Sequence, residues 1–185
     1  MSRDDLVRLK PPVSARDHFR GPANAPLTLV EYGDFQCSTC RRAEPVVREL
    51  LERLGPQIRL VFRHFPLTQS HPDALHAAEA AEAAGAQGAF WEMHDRLFER
   101  QFALQDANLV EHAAELGLDA AKVAAELEAR TWEARVREDI SSGARSGVNG
   151  TPTFFFNGVR HDWDSEMPSM LRSAERALAA ASRAY

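Results

Sequence analysis

Cysteine is scarce: the 185 residues contain two, Cys37 and Cys40, three positions apart. Closing so short a loop removes little entropy from the unfolded chain, so a disulfide-stapled scaffold is excluded. Long apolar runs are also missing. No stretch approaches the roughly 20 residues a helix needs to cross a bilayer, so membrane insertion is not expected. Nor is there a basic excess: 22 Lys and Arg against 27 Asp and Glu leave a net charge of -5. No basic run interleaves with aromatics, and nucleic acid is excluded as a partner. From Met1-Ser2-Arg3-Asp4-Asp5 to Lys10-Pro11-Pro12 there is neither an apolar h-region nor a small-residue cleavage site. No secretory signal is visible, and a cytoplasmic location is the expectation. With 44% hydrophobic residues, the chain has enough apolar material for one compact domain with an inserted subdomain.

Residues 1–25 are polar, proline-bearing and aperiodic, and read as an extended leader of little function. Leu27-Thr28-Leu29-Val30-Glu31-Tyr32 is short and β-prone and runs into the turn Gly33-Asp34-Phe35-Gln36. From Ser38, Val46, Val47, Leu50, Leu51 and Leu54 recur at helical spacing until Gly55-Pro56. Ile58-Arg59-Leu60-Val61-Phe62 is a second strand, completing a βαβ unit across residues 26–71. Residues 72–146 then carry alanine-rich periodicity with room for four or five helices. Their inner faces are expected from Leu75 and Ala78; Phe90, Met93 and Leu97; Leu109, Ala113 and Leu116; and Trp132, Val136 and Ile140. In residues 147–185, Thr153-Phe154-Phe155-Phe156 and Val159-Arg160-His161 flank Asn157-Gly158, a hairpin signal, before a last amphipathic helix from near Met167 to Ala181. The order is βαβ, a helical block, then ββα.

A Cys-x-x-Cys at the start of a helix has a chemical reason. Unpaired backbone N–H groups and the positive end of the helix dipole stabilise a thiolate on the first cysteine. Cys37 is then the nucleophile, and Cys40, one turn along and more buried, resolves the mixed disulfide. The intervening Ser38-Thr39 supplies no cation to lower the thiol pKa. The same spacing also suits half of a zinc site. Zinc would need two further ligands, best His71 and His76, which stand too far along the chain from Cys40 for a finger. The strand, turn and helix around Cys37 favour redox chemistry. His64, after the second strand, reads as a structural histidine, and Trp163, in a polar loop, as a candidate groove residue.

Glu31-Tyr32-Gly33-Asp34-Phe35-Gln36-Cys37-Ser38-Thr39-Cys40, Pro45, and Gly147-Val148-Asn149-Gly150-Thr151-Pro152-Thr153-Phe154 together resemble the DsbA-like branch of the thioredoxin superfamily. They also resemble the DsbA-like domain fused to some NhaA-type sodium/proton antiporters. The likeness spans roughly residues 18–180 and implies an α/β thioredoxin fold with an inserted helical subdomain, catalysing dithiol–disulfide exchange. It implies that Thr151-Pro152 is a cis-proline loop facing the cysteines and receiving an extended substrate segment. Glu31 matches the family's buried carboxylate, which assists proton transfer to and from Cys40, and Pro45 the position that bends the helix. Ser38-Thr39 departs from the family's oxidants, which often carry a histidine there, so strong oxidant character is not implied. Expected partners are disulfide- or thiol-containing proteins, small thiols or a redox partner protein, and neither metal nor organic cofactor is required. A non-catalytic redox-sensing or binding module and a zinc-binding module remain open alternatives. A kappa-class glutathione transferase, of the same architecture, would carry one serine in place of the pair.

Overall fold

The apolar runs of the sequence become strands in the computed structural model, which describes residues 7–183. β1 (His18–Arg20), β2 (Leu27–Gly33), β3 (Ile58–His64), β4 (Thr153–Phe156) and β5 (Val159–His161) form one sheet in the order β1-β3-β2-β4-β5. α1 (Ser38–Leu54), with Pro45 inside it, and a 3-10 turn at Gly55–Gln57 join β2 to β3. Five helices follow: α2 (Ala74–Gly85), α3 (Phe90–Glu99), α4 (Asp106–Glu115), α5 (Ala120–Glu128) and α6 (Glu133–Arg145). α7 (Met167–Ser182) closes the described chain.

By its contacts the chain divides into two compact units. Met1–Gly33, Arg42–Arg63 and Ser142–Tyr185 form a sheet unit, and Asp34–Arg41 with His64–Ser141 form a helical unit. In the sheet unit, β4 runs antiparallel to β2, with Glu31 opposite Phe154 and Tyr32 opposite Thr153. β5 is antiparallel to β4. Asn157 and Gly158 both take positive φ, 47° and 79°, the geometry a two-residue hairpin turn requires and these residues tolerate. α7 packs on β2 and β4 and buries Met170 and Ala174. The core is apolar and bulky: Leu27, Leu29, Tyr32, Phe62, Phe154 and Phe155 are fully buried.

The sequence names no strand before Leu27, yet β1 pairs antiparallel with β3, His18 opposite Phe62. The leader is tied down elsewhere too. Leu9 is buried and donates its N–H to Gly158, and Lys10 exchanges hydrogen bonds with Ser146 Oγ. Asp17 and Arg63, both fully buried side chains, meet in a bidentate ion pair at 2.8 and 3.1 Å. Arg63 also donates to Tyr32 Oη and to the carbonyls of Pro11 and Pro12. Burial works against its charge, but Asp17 and Tyr32 prevail and hold the guanidinium above its ordinary value. Met1-Ser2-Arg3-Asp4-Asp5 lies outside the described residues.

In the helical unit α2 packs against α3, α4 and α5. Its alanines let neighbouring helices approach closely, and Ala77, Ala80, Ala81, Ala83 and Ala84 are fully buried. Ala78, Phe90, Met93, Leu97, Leu109, Ala113 and Val136 face inward as the periodicity implies. Leu75, Leu116, Trp132 and Ile140 are only half-buried, and α6 instead buries Asp139 completely. Asp139 Oδ2 accepts the His64 N–H at 3.1 Å and Oδ1 accepts from Arg135 at 2.6 Å, so a polar anchor replaces the apolar one. His64, also buried, meets Glu82 at 3.0 Å.

Candidate active site

The turn that carries the cysteines is built by a short polar segment. Gly33 ends β2 because nothing larger fits: a Cβ there would lie 2.4 Å from the Phe62 ring. Asp34 then organises the turn, its Oδ1 accepting from Gln36 N at 2.7 Å and its carbonyl from Cys37 N at 3.1 Å. Its Oδ2 accepts from Leu67 N at 2.8 Å and pairs with His71 Nδ1 at 2.7 Å. Gln36 and Asp73 bond reciprocally, Gln36 Nε2 to Asp73 Oδ2 and Asp73 N to Gln36 Oε1. Phe35 packs among the rings of His64, His94 and Phe98, 5.0 to 5.9 Å away.

This holds Cys37 at the N-cap of α1, its carbonyl accepting the first intrahelical bond from Arg41 N at 3.2 Å. Cys40 lies one turn on. Cys37 is 7% exposed and Cys40 fully buried, so of the two only Cys37 reaches the surface at all. Gln101 Nε2 donates to the carbonyls of both Phe35 and Cys37, at 2.7 and 2.9 Å. Next to it Phe102, 90% exposed, lies under the Arg41 guanidinium.

Glu31, Thr151 and Pro152 belong to the sheet unit. Glu31 is fully buried in β2, which excludes a solvated strand end. The Thr151-Pro152 bond is cis, Pro152 is buried, and Thr153 Oγ1 closes the loop onto the Gly150 carbonyl at 2.7 Å. The β2–β4 register thus brings Glu31 and the proline loop into neighbouring strands, and the α1 turn brings the cysteines together. Trp163 packs its ring on Phe154, 5.2 Å between centroids. The histidines that zinc would need are engaged elsewhere, His71 with Asp34 and His76 with Asp106. Among the described residues no group with metal-ligand geometry includes a cysteine.

The family profile described as Thioredoxin matches residues 14–174. The chain belongs to the thioredoxin family. Three solved structures share the fold. Oxidised BdbD from Bacillus subtilis superposes with a TM-score of 0.85 at 20% identity, over 95% of this chain and 99% of that one. A thioredoxin-like oxidoreductase from Silicibacter pomeroyi DSS-3 gives 0.78 at 27% identity, over 96% and 98%. The alpha-DsbA1 of Wolbachia pipientis gives 0.77 at 20%, over 91% and 94%. The fold is DsbA-like, as the motifs imply.

Among curated relatives, the chain is 48% identical over 177 residues to Na(+)/H(+) antiporter NhaA 1 of Salinispora arenicola, covering 95% of this chain and 27% of that protein. It is 39% identical over 172 residues to Na(+)/H(+) antiporter NhaA 1 of Mycolicibacterium vanbaalenii, covering 92% and 28%. The chain spans about a quarter of the length of these relatives. Among the described residues no helix is long and apolar enough to cross a membrane.

The sequence points to Cys37 and Cys40 but gives no sign of Gln101, Gln36 or Asp73 as their supports. Asp34 alone had a local signal, since aspartate two residues before a backbone N–H favours a side-chain-closed turn.

Proposed function

We propose that this chain catalyses thiol–disulfide exchange with protein or small-thiol substrates, Cys37 as nucleophile and Cys40 as resolving thiol. The observation that carries the reading is Cys37 at the N-cap of α1, slightly exposed, with a fully buried Cys40 one turn behind. The position at the N-terminal end of α1 and the helix dipole favour the Cys37 thiolate. Its attack on a substrate disulfide forms a Cys37–substrate disulfide and releases one substrate thiolate. Cys40 then attacks the Cys37 sulfur, the Cys37–Cys40 disulfide forms, and the second substrate sulfur leaves as a thiol. Run backwards, the same steps oxidise a substrate dithiol. Thr151 and Pro152 receive an extended substrate segment at the mouth of β4, where proline offers no N–H of its own. Glu31 assists the proton transfers of Cys40. In a reducing cytoplasm the work is reduction or reshuffling of disulfides.

The test is Cys40→Ser incubated with a disulfide-bonded protein, which should accumulate a mixed disulfide that Cys37→Ser does not form. In glutathione buffers, a wild-type potential near or below about -250 mV identifies a reductase and one above about -150 mV an oxidant. No reversible Cys37–Cys40 disulfide overturns the reading. A second reading, a redox-sensing module, draws on the likeness to antiporters of which this chain spans 27%. It requires a reversible disulfide without turnover.

A further inference from the structure

Cys37 has a carbonyl with two lone pairs, and α1 uses one of them for Arg41 N. The other is taken by a residue 64 positions away. The side chain of Gln101 is buried, 7% exposed, and its single Nε2 reaches Cys37 O at 2.9 Å and Phe35 O at 2.7 Å. Phe35 O precedes α1 and so has no place in its hydrogen-bond ladder. Both carbonyls belong to the turn that carries Cys37. A donor shared between them ties the two peptides together and pins the Cys37–Ser38 peptide plane, because in a trans peptide the N–H points opposite to the C=O. Holding Cys37 O against Gln101 therefore holds the Ser38 N–H opposite to it, at the N-terminal end of α1.

We infer that Gln101 is a positioning residue for the nucleophile: its amide clamps the Phe35 and Cys37 carbonyls and so fixes the backbone donors that stabilise the Cys37 thiolate. The inference rests on the proposed role of Cys37. It also accounts for a site whose dipeptide Ser38-Thr39 has no charge. A neutral amide, shielded from water, does through oriented dipoles what a neighbouring cation would do through charge. Gln101 touches no substrate in this scheme and acts only through Cys37.

The experiment compares wild type, Gln101→Leu, Gln101→Glu and Leu104→Ala, all as the full chain. Leu104 is 2% exposed in the same connection between α3 and α4 but offers no hydrogen bond, so it reports loss of packing alone. The Cys37 thiol pKa is read from the pH dependence of its alkylation rate, and the Cys37–Cys40 equilibrium from glutathione buffers. Gln101→Leu should lower the thiolate fraction of Cys37 about tenfold at pH values below its pKa. At pH values above the Cys37 pKa of both proteins, the preference for the dithiol should weaken by the same factor, making the potential about 30 mV more negative. Gln101→Glu, whose carboxylate repels both carbonyls, should shift both readings further in the same direction. Leu104→Ala should lower the melting temperature and leave the pKa and potential in place. Unchanged pKa and potential in folded Gln101→Leu or Gln101→Glu overturn the inference, as does an equal shift in Leu104→Ala. If wild type forms no reversible disulfide, the exchange reading fails, while the Cys37 pKa comparison still decides the role of Gln101.

Discussion

In the sheet unit, beside the buried Glu31, Arg63 and Asp17 meet in one bidentate pair between fully buried side chains. The helical unit shares its charge out. Arg135 serves both Asp139, at 2.6 Å, and Glu82, at 3.8 Å, while His64 bonds Glu82 through its ring and Asp139 through its backbone. Glu79 pairs with Arg130 at 2.9 Å in a second network. A concentrated pair is lost all at once when one partner goes, whereas a shared network keeps part of its interactions. The apolar cores differ in the same sense. Bulky strand residues fill the sheet unit, and small alanines with polar links fill the space between helices.

Asp17→Ala should have the largest effect on stability. It strands the Arg63 guanidinium in the core, at a cost of about 3–5 kcal/mol read from the urea midpoint. A loss below about 1 kcal/mol would show that the carbonyls of Pro11 and Pro12 suffice, and the contrast between the units would collapse. Gly33→Ala comes next, also in the sheet unit. The new Cβ must displace the Phe62 ring, 2.4 Å away, for a loss of roughly 1–3 kcal/mol by the same measurement. In the helical unit, Glu82→Gln keeps an acceptor for His64 and leaves Asp139 on Arg135, so about 1 kcal/mol is expected. A loss matching that of Asp17→Ala would mean the network behaves as a single pair.

The smallest effects are those of pH, and here the two units should differ in sign. Burial pushes the His161 imidazole below its ordinary 6.5, against the pull of Asp164 and Asp162. A depressed histidine stabilises the fold as the neutral ring, a contribution present above about pH 6.5 and lost as pH falls through the folded value. Glu79 is raised from its ordinary 4.5, burial outweighing Arg130 and His76. Its contribution is complete below pH 4.5 and is lost as pH rises through the folded value. On acidification from neutrality, the wild-type melting temperature should therefore fall relative to His161→Asn and rise relative to Glu79→Gln. Parallel curves for all three proteins would remove the difference.

What could be read from the sequence follows the same division. β2, β3, the Asn157-Gly158 hairpin and α7 announce themselves through apolar runs and turn residues, which is local information. β1 does not, because His18-Phe19-Arg20 has no apolar pattern and owes its place to pairing with β3 and to the nearby Asp17–Arg63 bond. Asp139 likewise holds α6 from a position where periodicity favoured Ile140. At the site, the spacing of Cys37 and Cys40 and the strand before them pointed to the pair and to the chemistry proposed for it. The Gln101 and Asp73 contacts were hidden, since a side chain bonding a backbone group dozens of residues away imposes no pattern on its own neighbours.

The chain enters the helical unit twice, first for Asp34–Arg41 and again for His64–Ser141. A gene fragment that stops before residue 64 encodes both thiols and none of Leu67, His71, Asp73 and Gln101. One that starts there encodes those four and no thiol. Neither half inherits the complete cysteine turn, so a split version of this protein would gain its cysteine geometry only on reassembly, and Cys37 reactivity would report directly that the two halves had met.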